Sequence, residues 1–267
     1  MPSAVHTRYE DLTWPEMKAR IAEQPIVMLP VGVIEDHGPH LPLDVDNFLV
    51  TSVCRAAAEK AEGEILLMPT VGYGFSPHHM DFPGTVTVES DHFIDYMLDI
   101  TKSVAYHGFK RIIIVNGHGS NAPLVNLVAR QTVLQTQAVC ASVSYWSLAS
   151  AAISALRESD IPGGICHACE LETSLYMFLA PDRVRTDKIQ REMNMPHGKF
   201  VWYDIAKPSP ATMTLYWSQV TETGIAGDPT LASPEKGRRF LEACVEGLVE
   251  FAREIRSLEV KPRVDHH

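Results

Sequence analysis

The sequence predicts an α/β fold with a mostly parallel sheet covered by helices on both faces. Three observations point to it. Short apolar runs alternate with stretches of helical period, the pattern of strand–helix–strand units. The run Ile-Ile-Ile-Val inside Arg111–Asn116 is apolar on both sides, as a strand covered from above and below requires. Loops rich in Gly, Pro or His follow the strands rather than precede them.

In chain order, Ile26 to Val31 reads as a buried strand. Asp46 to Lys60 is the next helix, with Phe48, Leu49, Val53, Cys54 and Ala57 at helical spacing, and Ile65 to Met68 is a second short strand. Ser90 is a candidate N-cap for a helix whose inner face carries Ile94, Met97, Leu98, Val104 and Ala105, with Gly108 as its stop. Arg111–Asn116 is the third strand and Ala122 to Thr136 the following helix. Ala138 to Tyr145 is a strand and Glu170 to Leu179 a helix ending at Pro181. Ser233-Pro234 opens the last helix, with Phe240, Leu241, Cys244, Leu248 and Phe251 inward. The stretch 184–232 holds Pro196, Pro208, Pro210 and Pro229 and reads as irregular. Trp202 and Trp217 fall within it, candidates to cover a pocket or an oligomer contact.

The chain has 267 residues, 45% apolar and 21% charged, which excludes a disordered chain and suits one domain over 1–267. A net charge of −10 argues against a nucleic-acid partner, whose phosphates call for a basic surface. No apolar run approaches the roughly eighteen residues of a membrane span, so no membrane partner is expected. The start, Met1-Pro2-Ser3-Ala4-Val5-His6, lacks the basic-then-apolar order of a signal peptide. Five scattered cysteines are unlike a disulfide framework, so the expected compartment is the cytoplasm. Cys166-His167-Ala168-Cys169 has CxxC spacing, but no second CxxC completes a zinc ribbon and no thioredoxin-like context precedes it.

In an open α/β sheet, ligands bind beyond the carboxyl ends of the strands. Three segments deliver His and carboxylate groups there: Glu35 to Asp46, Gly117 to Asn121, and His167 to Thr173. Each residue has a plain structural alternative. A lone loop histidine is usually a surface group, Asp44 or Asp46 could cap a helix, and Glu170 and Glu172 could favour a helix N-terminus. Together the groups predict a metal site, since carboxylate oxygen and imidazole nitrogen suit Zn, Mn or Fe. Met80 and Met97 read as core or pocket lining.

The run Leu29-Pro30-Val31-Gly32, then Glu35-x-His37-Gly38-Pro39-His40-Leu41-Pro42 and Asp46, closely resembles the opening motif of the creatininase (creatinine amidohydrolase) family. Tyr73-Gly74 with His79 and Phe82-Pro83-Gly84-Thr85, Val115-Asn116-Gly117-His118-Gly119-x-Asn121, and His167-Ala168-x-Glu170-x-Glu172-Thr173-Ser174 agree in order, as does Gly227-Asp228-Pro229-Thr230. The resemblance implies a three-layer α/β/α amidohydrolase with two divalent metal ions, zinc foremost with manganese or iron as alternatives. It further implies a homo-oligomer, with a hexamer favoured. Carried over, Glu35 and His118 hold one metal, His37 the other, and Asp46 bridges them. His167 matches the catalytic acid/base, Glu172 a nearby catalytic acidic position, and Trp146 a pocket aromatic. His79 is expected to lie near the substrate, hydrogen-bonded to a ligand carboxylate rather than ligating, and His40 to orient its loop.

One departure is informative. Ser120 stands where creatininase itself has a metal-binding glutamate, so this chain resembles the family's His-Gly-x-Asn members, and Glu170 is the expected replacement ligand. The departure puts creatinine itself in doubt; formamides, lactams and short peptide-like amides are equally expected substrates. Mechanistically, a metal lowers the pKa of its bound water from about 15.7 to about 7, and two ions roughly 3.5–4 Å apart can hold the nucleophile while polarising the carbonyl. The competing expectations are a mononuclear iron-dependent oxidoreductase or lyase on the same residues, and a metal-binding protein without activity.

Overall fold

The computed structural model describes residues 7–267; the opening six residues, read above as no signal peptide, lie outside the described residues. The chain begins with α1 (Trp14–Ala22), β1 (Ile26–Val31), α2 (Val45–Lys60) and β2 (Ile65–Leu67). It continues through α3 (Ser90–Tyr106), β3 (Arg111–Asn116), α4 (Ala122–Gln135) and β4 (Val139–Ser144). The short helices α5 (Tyr145–Leu148) and α6 (Ser150–Leu156) lead to β5 (Ile165–His167) and α7 (Glu170–Leu179). Much later come β6 (Ala226–Gly227) and the long α8 (Pro234–Ser257).

The main sheet is parallel throughout, in the order β2-β1-β3-β4. Side chains of a strand alternate between faces, and the core shows it. Ile26, Met28, Ile113 and Val115 pack on the side of α2, α7 and α8, with Leu49, Leu175 and Phe240. Leu29, Val31 and Ile114 face α3 and α4 through Phe93, Met97 and Val128. Val27 and Ile112 meet Val104 and Phe109 on that second side. The three layers expected from the sequence are therefore present. Val31 pairs with Asn116 and Asn116 with Ser144, so three strands end level and their loops start from one line.

Several boundaries differ from the sequence reading for local reasons. Ser90 is the first residue of α3 and Glu89 holds the N-cap position, so the serine does not cap. Asp44 sits at the N-cap of α2 but caps nothing; its carboxylate accepts from Tyr176 Oη (2.9 Å) and Arg183 (3.0 Å), tying α2 to α7. The helix α1 was absent from the reading, although Thr13 and Glu16 form a capping box with Pro15 between them, a readable start signal. β5 and β6 pair antiparallel, apart from the main sheet. Within 184–232, β6 and three single turns, Thr186–Lys188, Trp217–Gln219 and Pro229–Leu231, are the assigned elements.

α8 starts where Ser233 caps it by accepting from the Lys236 amide at 3.2 Å, and Phe240, Cys244 and Leu248 are fully buried. It crosses α7 at Gly237, where an added Cβ would stand 1.9 Å from the Ser174 carbonyl oxygen. That contact is backbone and cannot swing aside. Gly237→Ala is expected to destabilise by about 2 kcal/mol or more through overpacking. Urea unfolding should show a lower midpoint at unchanged slope.

Candidate metal centre

The level strand ends bring distant sequence segments together. Glu35 follows β1, His118 follows β3, and Asp46 lies in the first turn of α2. His167 ends β5 and Glu172 lies in the first turn of α7. His118 Nδ1 stands 3.2 Å from Glu35 Oε1 and 3.0 Å from Asp46 Oδ2. The other oxygen of Asp46, Oδ1, lies 3.3 Å from His37 Nε2, which is 3.8 Å from Glu172 Oε1. One carboxylate thus addresses two donor groups at once. Donor atoms of Glu35, Asp46 and His118 lie within 4.8 Å of one another, as do those of His37, His167 and Glu172, and those of Glu35, His79 and His167.

The donor set fits a cation. Glu35 Oε1, Asp46 Oδ2 and His37 Nε2 are buried without a hydrogen-bond partner, an arrangement that is costly in a protein interior unless something positive meets the oxygens. The surroundings hold these groups still. Ser76 donates its hydroxyl to Glu35 Oε2. Asn116 donates to the His118 carbonyl (2.6 Å) and to Ser144 Oγ (3.0 Å), and its Oδ1 accepts from the His118 amide at 3.2 Å. Asn121 donates to the Gly32 carbonyl (3.2 Å) and accepts from the Phe75 amide (2.9 Å), locking the β1 loop to the single helical turn Gly119–Asn121 after β3. At Gly32 a Cβ would sit 2.4 Å from Asn47 Oδ1, so the loop passes α2 too closely for any side chain.

Charge regulates charge here. Burial would lift the Asp46 carboxyl, but His37 and His118 outweigh it and hold Asp46 well below the carboxylate range. Burial raises Glu35, and His118 offsets only part of that. Burial alone would lower His118 and His37, yet the carboxylates win: His118 is raised to about 10 by Glu35 and Asp46, and His37 is raised well above its ordinary value by Asp46 and Glu172. His167 and His79 go the other way, pushed well down by burial and by neighbouring imidazoles.

His167 Nε2 lies 2.7 Å from the Asp36 carbonyl oxygen. A carbonyl only accepts, so Nε2 carries the proton and Nδ1 is left open, 3.6 Å from Glu35 Oε1. His79 stands close to the cluster, its Nε2 3.8 Å from Glu35 Oε1. Its Nδ1 pairs with Asp36 Oδ1 at 2.7 Å, and its ring stacks on Trp217 at 4.7 Å between centroids and 29° between planes. Burial, then Glu35, raises Asp36 to about 7. His40 Nε2 meets Thr173 Oγ1 at 2.9 Å, joining its loop to α7. Ser120 Oγ meets His78 Nε2 at 3.1 Å.

Glu170 is not brought to the cluster, a correction to the sequence expectation. Its carboxylate accepts from Lys236 Nζ (2.6 Å) and from the amides of Glu158 and Ser159, the latter at 3.0 Å. These donors hold its pKa down against burial. Glu172, one helical step on, is the α7 carboxylate that reaches the histidines. Both cysteines of the CxxC stretch are free thiols, and neither belongs to a metal-capable group among the described residues. Asp36 and Ser76 are functional neighbours that the motif pattern does not mark, although Asp36 stands between two candidate ligands in the sequence. Trp217, a candidate pocket cover, does lie over the site.

The cluster floors a cavity of about 320 Å³ walled by Trp146, Trp202, Tyr203 and Trp217, with no lysine or arginine among its lining residues.

The chain is similar to known proteins over most of its length. The creatininase family model, described as creatinine amidohydrolase, matches residues 10–252. A creatinine amidohydrolase of Pseudomonas putida is 32% identical over 260 residues, 91% of this chain and 95% of its own length. A mycofactocin precursor peptide peptidase of Mycobacterium ulcerans is 31% identical over 232 residues, 84% of this chain and 83% of its own. A solved creatininase variant of Zn–Zn type superposes with a TM-score of 0.77 at 30% identity, covering 93% of this chain and 97% of its own.

Raised histidines must lose protons before they ligate. Because His37 and His118 are raised, metal uptake by the metal-free protein should release protons, and affinity should climb with pH as those protons come off, up to about 10 for His118. Calorimetric titration with Zn²⁺ in buffers of different ionisation enthalpy reads the proton count directly.

Proposed function

Since the chain belongs to the creatininase family and is thereby a metal-dependent amidohydrolase, we propose that its centre is binuclear and that its substrate is a small uncharged amide. The observation that carries the reading is Asp46, whose two oxygens face the Glu35–His118 pair and the His37–Glu172 pair separately. Glu35 and His118 would hold one ion, His37 and Glu172 the other, with Asp46 between. Glu172 thus takes the ligand place that the sequence suggested for Glu170. Zinc is the proposed metal; the oxygen and nitrogen donors also accept manganese or iron. Ions bound there would supply Lewis acidity, lowering the pKa of water and polarising the substrate carbonyl.

The chain's own residues do the rest. His167, neutral and with its Nε2–H held by the Asp36 carbonyl, offers Nδ1 to take the proton of the attacking water. The same Nδ1 then returns it to the leaving nitrogen. Asp36 and the Trp217 stack keep His79 beside it. The tryptophan walls suit a flat cyclic or linear amide, such as creatinine, a lactam, a formamide or a short peptide-like group. The lining offers no lysine or arginine to pair an anion, and metal ions bound at the cluster would repel a cation, so an uncharged amide suits it. Hydrolysis is favoured over the iron-dependent oxidoreductase or lyase by the family and its hydrolase relatives.

The assembly we propose is a homo-oligomer, a hexamer by family resemblance. The half-exposed β4 edge and the exposed Val133 and Leu134 of α4 support a contact between copies. Five free cysteines support a reducing, cytoplasmic setting. No helix of the described residues is long and apolar enough to cross a membrane.

Metal analysis of protein purified without chelator, paired with an amide panel, tests the reading. The expected result is two ions per chain and turnover of at least one amide, lactam or formamide. Asp46→Ala is expected to lose metal and activity together; full activity with both ions kept would refute bridging. His167→Ala should keep both ions while turnover falls about 10²–10⁴-fold. Loss of metal in that variant would make His167 a ligand instead.

A further inference from the structure

Between α6 and β5 lies a buried ion pair that the chemistry above does not use. Arg157, just past the end of α6, reaches both carboxylate oxygens of Asp204 through Nη1, at 3.0 and 2.8 Å. Their side chains are 1% and 0% exposed. The rest of the guanidinium is spent on the Ser159 carbonyl (3.3 Å), Ser159 Oγ (3.4 Å) and the Asp160 carbonyl. Asp204 in turn accepts from the amides of Gly163 (2.9 Å), Ala206 (3.1 Å) and Lys207 (3.1 Å). A carboxylate so fully bonded has no capacity left for substrate or metal.

What it holds is the wall of the cavity. Trp202 and Tyr203 precede Asp204, and the stretch after it, 207–216, is mostly exposed. That segment closes mainly on itself: Trp202 Nε1 donates to the Lys207 carbonyl (2.7 Å), Tyr203 Oη to the Met213 carbonyl (2.5 Å), and the Ala211 amide to the Phe200 carbonyl (3.2 Å). Its ties to the body gather at one place. Beside the ion pair, the Ile205 amide donates to the Ile165 carbonyl at 2.9 Å, on the strand that ends in His167. Arg157 is itself pinned from behind, because the Glu170 carboxylate, held by a hydrogen bond from Lys236 Nζ, accepts from the amides of Glu158 and Ser159.

We propose that Arg157 and Asp204 are a positioning pair that sets the distance of the Trp202–Tyr203 wall from the metal centre and so selects substrate size. Asp204 lines the cavity, but its carboxylate is unexposed and spent on Arg157 and three amides, so the pair acts through the wall rather than on substrate. The inference rests on the amide-hydrolase reading for its kinetic readout and on the geometry of the wall for everything else.

The test compares Arg157→Lys, which keeps the charge but loses the planar guanidinium whose Nε and Nη2 hold Ser159 and Asp160, and Asp204→Asn, which keeps the shape. Each is assayed on a small and a bulky amide. Both variants should shift the ratio of kcat/KM values toward the bulky amide by at least about tenfold, mainly through KM, with wild-type metal content. Trp202→Ala removes the wall without touching the pair and should give the same shift, so it carries the test where a pair variant fails to fold. An unchanged ratio in these variants, with only a lower denaturation midpoint, means a merely structural pair and overturns the proposal. Amide hydrogen exchange reads the wall without turnover. Protection over 198–215 should fall about tenfold in the pair variants while β1 and β3 exchange as in the wild type. If the wild type cleaves no amide, the substrate reading fails by itself and exchange decides: unchanged protection of 198–215 overturns the positioning role.

Discussion

The burial of Asp46 between two histidines is the constraint on which the structure turns. A carboxylate that is 4% exposed, sharing a cluster with buried Glu35 and Glu172, cannot persist unless positive groups surround it. His37 and His118 meet that need in the protein alone, which is why both are raised while Asp46 is lowered. A pair of divalent ions would meet it more completely and would displace the histidine protons. The protein is thus arranged so that the same atoms are satisfied by protons or by metal, and metal is the better fit for the unpaired oxygens of Glu35 and Asp46.

The remainder of the fold keeps that cluster from relaxing. Parallel strands ending level place the loops, and uncharged amides hold them: Asn116 around His118, Asn121 between the β1 and β3 loops, and Asn47 against Gly32 and Gly72. Asn residues suit this task because each offers a donor and an acceptor without adding charge to a region already full of it. Charged pairs are kept a step away. Glu170 with Lys236 and Arg157 with Asp204 neutralise each other locally and anchor α7, α8 and the cavity wall. The two classes of polar group divide the work by distance from the metal centre.

Much of this was legible in the sequence. The apolar runs located all four strands of the main sheet to within a residue or two, because the strands covered on both faces, β1 and the middle of β3, have no room for polar residues and the β4 edge still carries alternate apolar positions. The positions after the strands pointed to the three segments that carry Glu35, His37, Asp46, His118 and Glu172, and the family resemblance singled out those residues, whose donor atoms the fold gathers at one edge. Glu170 was misplaced because spacing along a helix start cannot tell which of two carboxylates two residues apart turns inward; Lys236, far along the chain, decides it. The cavity wall was legible only as single tryptophans: Trp146, Trp202 and Trp217, expected near a pocket, do line it. Its path was not, because residues 198–215 form no regular element and Asp204 within them is held by Arg157, more than forty residues earlier.

The parallel topology also has a kinetic consequence. The segment from Glu35 to Glu172 contains every residue of the cluster, and β1 meets β3 only after α2, β2 and α3 have been laid between them. Long crossovers of this kind make strand pairing wait on the ordering of the chain between, a topology that slows folding. An ion with no affinity for the unordered chain binds only the finished protein. It then acts as a ratchet on the last step, adding stability that grows with the logarithm of free metal concentration. A cell's metal supply would set how long each folded molecule lasts as well as how fast it works.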